Sequence, residues 1–464
     1  MTERSPFDAT SEELRALGDE ALDLVLRFID ERSEAPAADL EGAFDLAATF
    51  DEPPPEEPRH PHDVLARVMQ GATKAYDTAG PGYLAYIPGG GLFASAIADL
   101  IADVTNRFVN MAAPAPAFAA IEAAVIRWLC REFDLPATAL GVLTSGGSLA
   151  NFSAVVAARH ALLPEDFLDG AIYASEHVHH SIQKAARLAG FPERAIRLVP
   201  TDRELRMEPE ALEEMIGSDR SQGLTPFMIV ASAGTTNTGT IDPLSLVAEI
   251  AQQHGLWLHV DAAYGGFFQL TERGRTRFEG IGRADSITLD PHKGMFLPYG
   301  LGCLLVRDVD KLRAAHQVGA HYLKDLGPEG DVPNFADLSP DLSRDFRGLR
   351  VWLPLQLHGV AAWRHALDDK LDLAELTYAS LAETPGLDVP WRPDLSIVAF
   401  APGDGGDAAT AELLDRVNGS RRIFISSTAI DGRTYLRFCI LSHRTSKDRI
   451  EEAIEIVQKA AADL

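Results

Sequence analysis

Cysteine is nearly missing from this sequence. Cys130, Cys303 and Cys439 are the three present in 464 residues. They are odd in number and far apart, so neither a disulfide framework nor a CxxC metal site can be built, and a reducing cytoplasm is the expected location. Basic residues are also short: 42 Lys and Arg face 68 Asp and Glu, a net charge of −26. Nucleic acid and anionic membranes both reward clustered positive charge, so neither is expected as a partner. The acid excess itself reads as a solvated surface. No uncharged apolar run is long enough to span a membrane. The opening residues, Met1-Thr2-Glu3-Arg4-Ser5-Pro6, lack a basic stretch followed by an apolar one, so no export signal is expected.

What the chain does have is apolar content, 46% by residue, enough for a large core and two or three domains. Ser11 is placed as the N-cap of a helix running to about Arg32, with Leu14, Leu17, Ala21, Leu24 and Phe28 on one stripe. A proline-dense stretch, 51–62, reads as an extended linker, and a helix is predicted from about Asp63 to Thr78. The loop Gly80–Gly91 is rich in glycine and aromatics, and its Tyr83, Tyr86, Ile87 and Pro88 are candidates for a substrate pocket.

From about residue 117 strands and helices alternate: strands at 141–143, 170–174, 196–199, 227–231 and 256–260, each followed by a helical period. Such alternation predicts an α/β fold around a mostly parallel sheet covered on both faces. The segment after 381 mixes strands and helices into a small α+β unit, with strands expected at Ser396–Ala401, Arg422–Ser427 and Thr434–Leu441. The predicted division is 1–95, a helical segment with its linker; 96–358, a large domain; and 359–464, a small C-terminal domain.

Sheets of this kind bind ligands at the carboxyl ends of their strands, and the unusual residues sit there. Gly141-Val142-Leu143 leads into Thr144-Ser145-Gly146-Gly147-Ser148 and a helix. The sequence is neither a Walker A motif nor GxGxxG, but a small-residue turn at a helix N-terminus cradles phosphate. An ordinary strand-to-helix turn is the alternative. Ser232–Gly239 is a second polar turn. His259-Val260-Asp261-Ala262-Ala263 ends a strand on an acid, and Asp290-Pro291-His292-Lys293-Gly294 follows the next. Either residue of the Asp261 and Lys293 pair would suit an ordinary ion pair. Together with a phosphate turn they are what pyridoxal phosphate needs: the lysine forms a Schiff base with the cofactor aldehyde, and the acid keeps the pyridine nitrogen protonated so that the ring accepts electrons.

In combination these motifs resemble the group II pyridoxal phosphate-dependent amino acid decarboxylases, the branch with aromatic-L-amino-acid and glutamate decarboxylases, over nearly the whole chain. The resemblance implies the type I aminotransferase fold. It also implies roles residue by residue. Ser145, Gly146, Gly147, Ser148 and Asn151 resemble the phosphate turn. His179, in Val178-His179-His180-Ser181, resembles the histidine that stacks on the cofactor ring; a metal reading of His177, His179 and His180 is the rival. Thr235 and Thr236 resemble the turn near the ring substituents. Asp261 and Ala263 match the pyridine-nitrogen site, and Asp290, His292 and Lys293 the Schiff-base segment. Tyr322 resembles a mobile-loop tyrosine that returns a proton to Cα after CO₂ leaves. Arg344 resembles an arginine near the phosphate, with a surface ion pair as the alternative. A homodimer is implied, the N-terminal segment crossing to its partner.

The catalytic set expected is therefore Lys293, Tyr322, His179 and Asp261, with no metal, for α-decarboxylation of an L-amino acid, aromatic by preference. An aldehyde synthase, an acidic amino acid decarboxylase and an aminotransferase or lyase stay open on the same scaffold, as does a catalytically idle binding protein. Two residues depart from the pattern. Asp290 stands where the animal aromatic enzymes carry asparagine, and Gly294 replaces a bulky tryptophan. With Gly89-Gly90-Gly91, these predict a differently shaped pocket wall.

Overall fold

The computed structural model describes residues 5, 7–317 and 332–464. Seven strands form the central sheet: β1 (Leu140–Thr144), β2 (Gly170–Ser175), β3 (Ile196–Val199), β4 (Thr225–Ser232), β5 (Trp257–Asp261), β6 (Ser286–Leu289) and β7 (Gly302–Val306). Their order is β1-β7-β6-β5-β4-β2-β3. β7 runs antiparallel to both β1 and β6, while β3, β2, β4, β5 and β6 pair in parallel. Every residue of β1, β2, β5, β6 and β7 is buried. This is why these strands read as continuous apolar runs rather than as alternation.

A second, four-stranded antiparallel sheet follows, of β8 (Leu387–Asp388), β9 (Ile397–Pro402), β10 (Ser426–Ile430) and β11 (Arg433–Cys439), in the order β10-β11-β9-β8. It has its own core, in which Phe400, Leu413, Leu436, Phe438 and Ile450 are fully buried. The two sheets are tied by Tyr264. Its hydroxyl lies 2.8 Å from Ser396 Oγ and accepts the Ser396 backbone N–H at 3.0 Å.

Three local expectations change. The first helix, Ser11–Asp30, is capped by Thr10 instead of Ser11. Thr10 Oγ1 accepts from the Glu13 N–H at 3.2 Å while Glu13 Oε2 accepts from the Thr10 N–H at 2.6 Å, a reciprocal cap that Ser11 has no glutamate to complete. The helix at 63–78 is Pro61–Thr73, because proline suits a first helical position. Residues 422–425 are not part of β10. Phe424 instead exchanges backbone hydrogen bonds with Gly82 and Leu84 at 2.9 Å each, joining the 80–91 loop to the small sheet. A helix at Phe93–Thr105, not anticipated, follows that loop.

The apolar stripe of the first helix is only partly covered, with Ala21, Leu24 and Phe28 half-buried. None of its residues is buried, and Leu14, Leu17, Leu22, Val25 and Leu26 are exposed, as are Leu100, Ile101 and Val104 on helix Phe93–Thr105. No helix among the described residues is long and apolar enough to cross a membrane.

Candidate active site

The carboxyl ends of β1, β4, β5 and β6 surround a cavity of about 300 Å³. Ser145, Gly146, Gly147, Ser148, Asn151, His179, Thr235, Thr236, Asp261, Ala263, Asp290, His292 and Lys293 all line it. Residues from five separate chain segments thus meet where the sheet topology predicts.

Asp261, the last residue of β5, is 8% exposed. Its Oδ1 accepts the Ala263 N–H at 3.1 Å and its Oδ2 the Asn151 amide at 3.0 Å. Behind it runs a buried chain: Trp257 Nε1 to Ser286 Oγ at 2.8 Å, Ser286 Oγ to His259 Nδ1 at 2.8 Å, and His259 Nε2 to Asn151 Oδ1 at 3.0 Å. Its ends fix its direction, since indole N–H only donates and an ionised carboxylate only accepts. Each link therefore donates toward Asp261, ending on a hydrogen bond to charge worth roughly 1.5–3 kcal/mol. Asn151 also donates to Ser181 Oγ at 2.8 Å, and Ser181 then donates to His179 Nδ1 at 2.8 Å. His179 keeps its hydrogen on Nε2. Burial lowers its pKa despite the nearby Asp261 charge, so the ring is neutral at pH 7.

Full burial pushes the His259 pKa from 6.5 down to about 4. The unfolded chain takes up this proton as pH falls through 6.5, whereas the folded chain refuses it until about 4. Stability should therefore fall by roughly 3 kcal/mol between those limits, read as a lower urea midpoint at pH 4.5 than at pH 7. A His259→Gln chain should show a flatter dependence; equal slopes in the two proteins would refute the assignment.

Lys293 follows β6 on the short helix Pro291–Gly294, and its Nζ lies 2.8 Å from Asp290 Oδ2. Burial opposes a charge here, but the Asp290 carboxylate outweighs it and holds the lysine pKa above the usual range. Across the cavity, helix Gly147–Leu162 starts at the small-residue turn. A Cβ on Gly147 would come within 3.0 Å of Asp290 Oδ2 and 3.2 Å of Ala263 Cβ, so only glycine lets the backbone close on a ligand there.

Some expected residues lie elsewhere. Tyr83 is 4% exposed, its ring stacked on Phe424, and Ile87 and Pro88 are buried. Tyr86 is exposed, and none of the four is among the residues lining the cavity. Gly294 does not widen it: a Cβ there would meet Phe267 Cβ at 2.7 Å, so Phe267 fills the space and the predicted change of wall shape does not arise from this glycine. Gly90 is likewise packed, against Phe296 and His443. Arg344 forms a buried pair with Glu122 at 2.6 Å and donates to Leu143 O at 3.1 Å, bracing the end of β1 from behind; it is not a surface pair. Tyr322 lies outside the described residues.

Three contributions were not anticipated. His259 and Ser286 act only through partners distant in sequence. Arg437, on β11, is 3% exposed; it donates to the Thr236 carbonyl and, at 3.0 Å, to Ser426 Oγ, clamping the small sheet onto the Thr235–Thr236 turn. An arginine in a strand reads as solvent-facing, so its burial carried no signal.

Pyridoxal phosphate fits these residues. Asp261 would meet the pyridine nitrogen, Lys293 the aldehyde, and the Ser145–Ser148 turn with its helix N-terminus the phosphate. Fold and site together define a pyridoxal phosphate enzyme of the aminotransferase type. The sequence profile described as the pyridoxal-dependent decarboxylase conserved domain matches residues 45–402. The chain is 33% identical to the aromatic-L-amino-acid decarboxylase of Bacillus atrophaeus, covering 98% of this chain and 96% of that one. It is also 33% identical to tyrosine decarboxylase 2 of Arabidopsis thaliana, over 86% of this chain and 76% of that one. The structure of Oryza sativa TDC with PLP and tryptamine superposes with a TM-score of 0.92 at 26% identity, covering 99% of both chains. This chain belongs to the pyridoxal-dependent decarboxylase family and is a pyridoxal phosphate-dependent amino acid decarboxylase.

Proposed function

We propose that the chain decarboxylates an aromatic L-amino acid, tryptophan, tyrosine, phenylalanine or a hydroxylated relative, to its amine and CO₂. The supporting observation is a cavity with Lys293 and Asp261 in its walls and no arginine among the described residues that line it. A glutamate-type side chain would need a free cation there, and Arg437 is already engaged by the Thr236 carbonyl and Ser426. The relatives named above act on aromatic substrates or carry an aromatic amine.

Bound pyridoxal phosphate supplies the electron sink for the bond-breaking step. The chain's own residues do the rest. Lys293 would hold the cofactor through its aldehyde carbon. Asp261, held by Asn151 and the Ala263 N–H, keeps a proton on the ring nitrogen. His179, neutral and fixed by Ser181, supplies a flat surface against the ring, and Tyr322 returns a proton to Cα. Thr235, Thr236, Asp290 and His292 complete the cofactor walls. We assign the segments 1–95, 96–358 and 359–464 as N-terminal, cofactor-binding and small domains.

The exposed faces of helices Ser11–Asp30 and Phe93–Thr105 support a homodimer in which these stripes meet a second copy. A stable, active monomer by light scattering would overturn it. A cytoplasmic location suits the three buried free thiols; recovery from an exported fraction would refute that.

The functional reading is tested by incubating pyridoxal phosphate-loaded enzyme with a panel of amino acids and measuring amine, ammonia and peroxide together. Amine from tryptophan, tyrosine or phenylalanine without peroxide is expected. Peroxide with ammonia would mean an aldehyde synthase, and preference for glutamate or diaminobutyrate would refute the aromatic assignment.

A further inference from the structure

The cavity is short of positive charge for a site that would receive a phosphate. Among the described residues lining it, Asp261 and Asp290 are acids and Lys293 is the one cation, because burial lowers the pKa values of His179 and His292 and leaves both rings neutral at pH 7. The guanidiniums behind the end of β1 add no net charge: Arg344 pairs with Glu122 at 2.6 Å and Arg347 with Asp341 at 3.2 Å. Arg437 donates to the Thr236 carbonyl, on a different turn.

Asp290 adds a negative charge beside the turn expected to receive phosphate. It is 2% exposed. A Cβ on Gly147, the first residue of helix Gly147–Leu162, would come within 3.0 Å of Asp290 Oδ2 and 3.3 Å of its Oδ1, so both carboxylate oxygens lie over the helix N-terminus. That end carries the partial positive charge that favours an anion, and the carboxylate already takes up part of it. Oδ2 is 2.8 Å from Lys293 Nζ. Oδ1 is buried without a hydrogen-bond partner among the described residues, so no donor blunts the charge on that oxygen.

We propose that Asp290 weakens the hold on the cofactor: its carboxylate opposes the phosphate at the Ser145–Ser148 turn, so the chain binds pyridoxal phosphate less tightly than the same cavity with a neutral residue at 290. The inference rests on the cavity being the pyridoxal phosphate site. Asp261 would balance the protonated ring nitrogen, and Lys293 balances a single carboxylate. The phosphate is then left with hydroxyls, backbone N–H groups and a fixed negative charge. Like charges brought together out of water cost affinity. The effect is one of charge alone and needs no proton transfer.

The test uses Asp290→Asn, which keeps the side-chain size and removes the charge; Asp290→Ser serves if the asparagine chain fails to fold. Cofactor-free protein is titrated near neutral pH with pyridoxal phosphate, with pyridoxal, which lacks the phosphate, and with inorganic phosphate. The ratio of the pyridoxal dissociation constant to that of pyridoxal phosphate should rise about tenfold or more in the neutral chains. Any effect passing through Lys293 touches both aldehydes alike and cancels in that ratio. Inorganic phosphate, which has no aldehyde, should gain affinity by a similar factor. An unchanged or smaller ratio would overturn the proposal, even if both aldehydes bound more tightly. If no chain takes up pyridoxal phosphate, the site assignment itself falls, and this inference with it.

Discussion

Replacing Lys293 with glutamine is expected to abolish the visible cofactor band that borohydride can fix to the chain, and to lower amine formation by on the order of 10⁴-fold or more, as loss of a covalent catalytic nucleophile does. Glutamine is chosen over alanine for a structural reason. Asp290 is buried, and deleting its partner outright would leave an uncompensated charge costing roughly 3–5 kcal/mol, so an alanine chain would confuse misfolding with lost chemistry. A glutamine amide still donates to Asp290 Oδ2. Absorbance, borohydride trapping and product formation are measured on one preparation with its thermal midpoint checked. Amine production within tenfold of the wild type would remove Lys293 from the mechanism.

Asp261→Asn is the second large effect, and it separates from the first. Lys293 is untouched, so the visible band should persist, while kcat falls by roughly 10³-fold, the scale of losing a preorganised charge in a dry site. The cause is the hydrogen-bond direction described above. Trp257, Ser286, His259 and Asn151 all donate toward position 261. An asparagine placing its own N–H₂ toward Asn151 would oppose that chain, and one presenting oxygen would be a far weaker acceptor. Neither holds a proton on a pyridine nitrogen as a carboxylate does. Asp261→Glu should recover part of the rate. An asparagine chain with unchanged kcat would show that the ring needs no counter-charge here.

Much of this was legible in the sequence because it is local. Glycine, serine and threonine in a turn before a helix, or an acid ending an apolar strand, announce themselves within a few residues. Strand β3 begins and ends where the apolar run at 196–199 placed it. The losses are non-local. His259 was quoted as part of a motif, but its role depends on Asn151, 108 positions away. Arg437 looked like a surface strand residue until the sheets came together. Gly294 looked like missing bulk, yet Phe267, from another segment, supplies it. Tyr83 was read as a pocket aromatic because loops line pockets, but a loop that hydrogen-bonds to Phe424 turns its ring inward.

The antiparallel strand β7 has a consequence for the order in which this protein is made. Among the described residues β1 pairs with β7 alone, Leu140 opposite Val306, so the strand carrying the phosphate turn lacks its partner in the sheet until the ribosome has released the chain past residue 306. The start of β7 also presses on that turn, where a Cβ on Gly302 would meet Gly146 at 2.5 Å. A nascent chain halted before β7 holds β2 to β6 without its first strand. Closure of so distant a contact is slow, leaving an incomplete sheet edge exposed to self-association during synthesis.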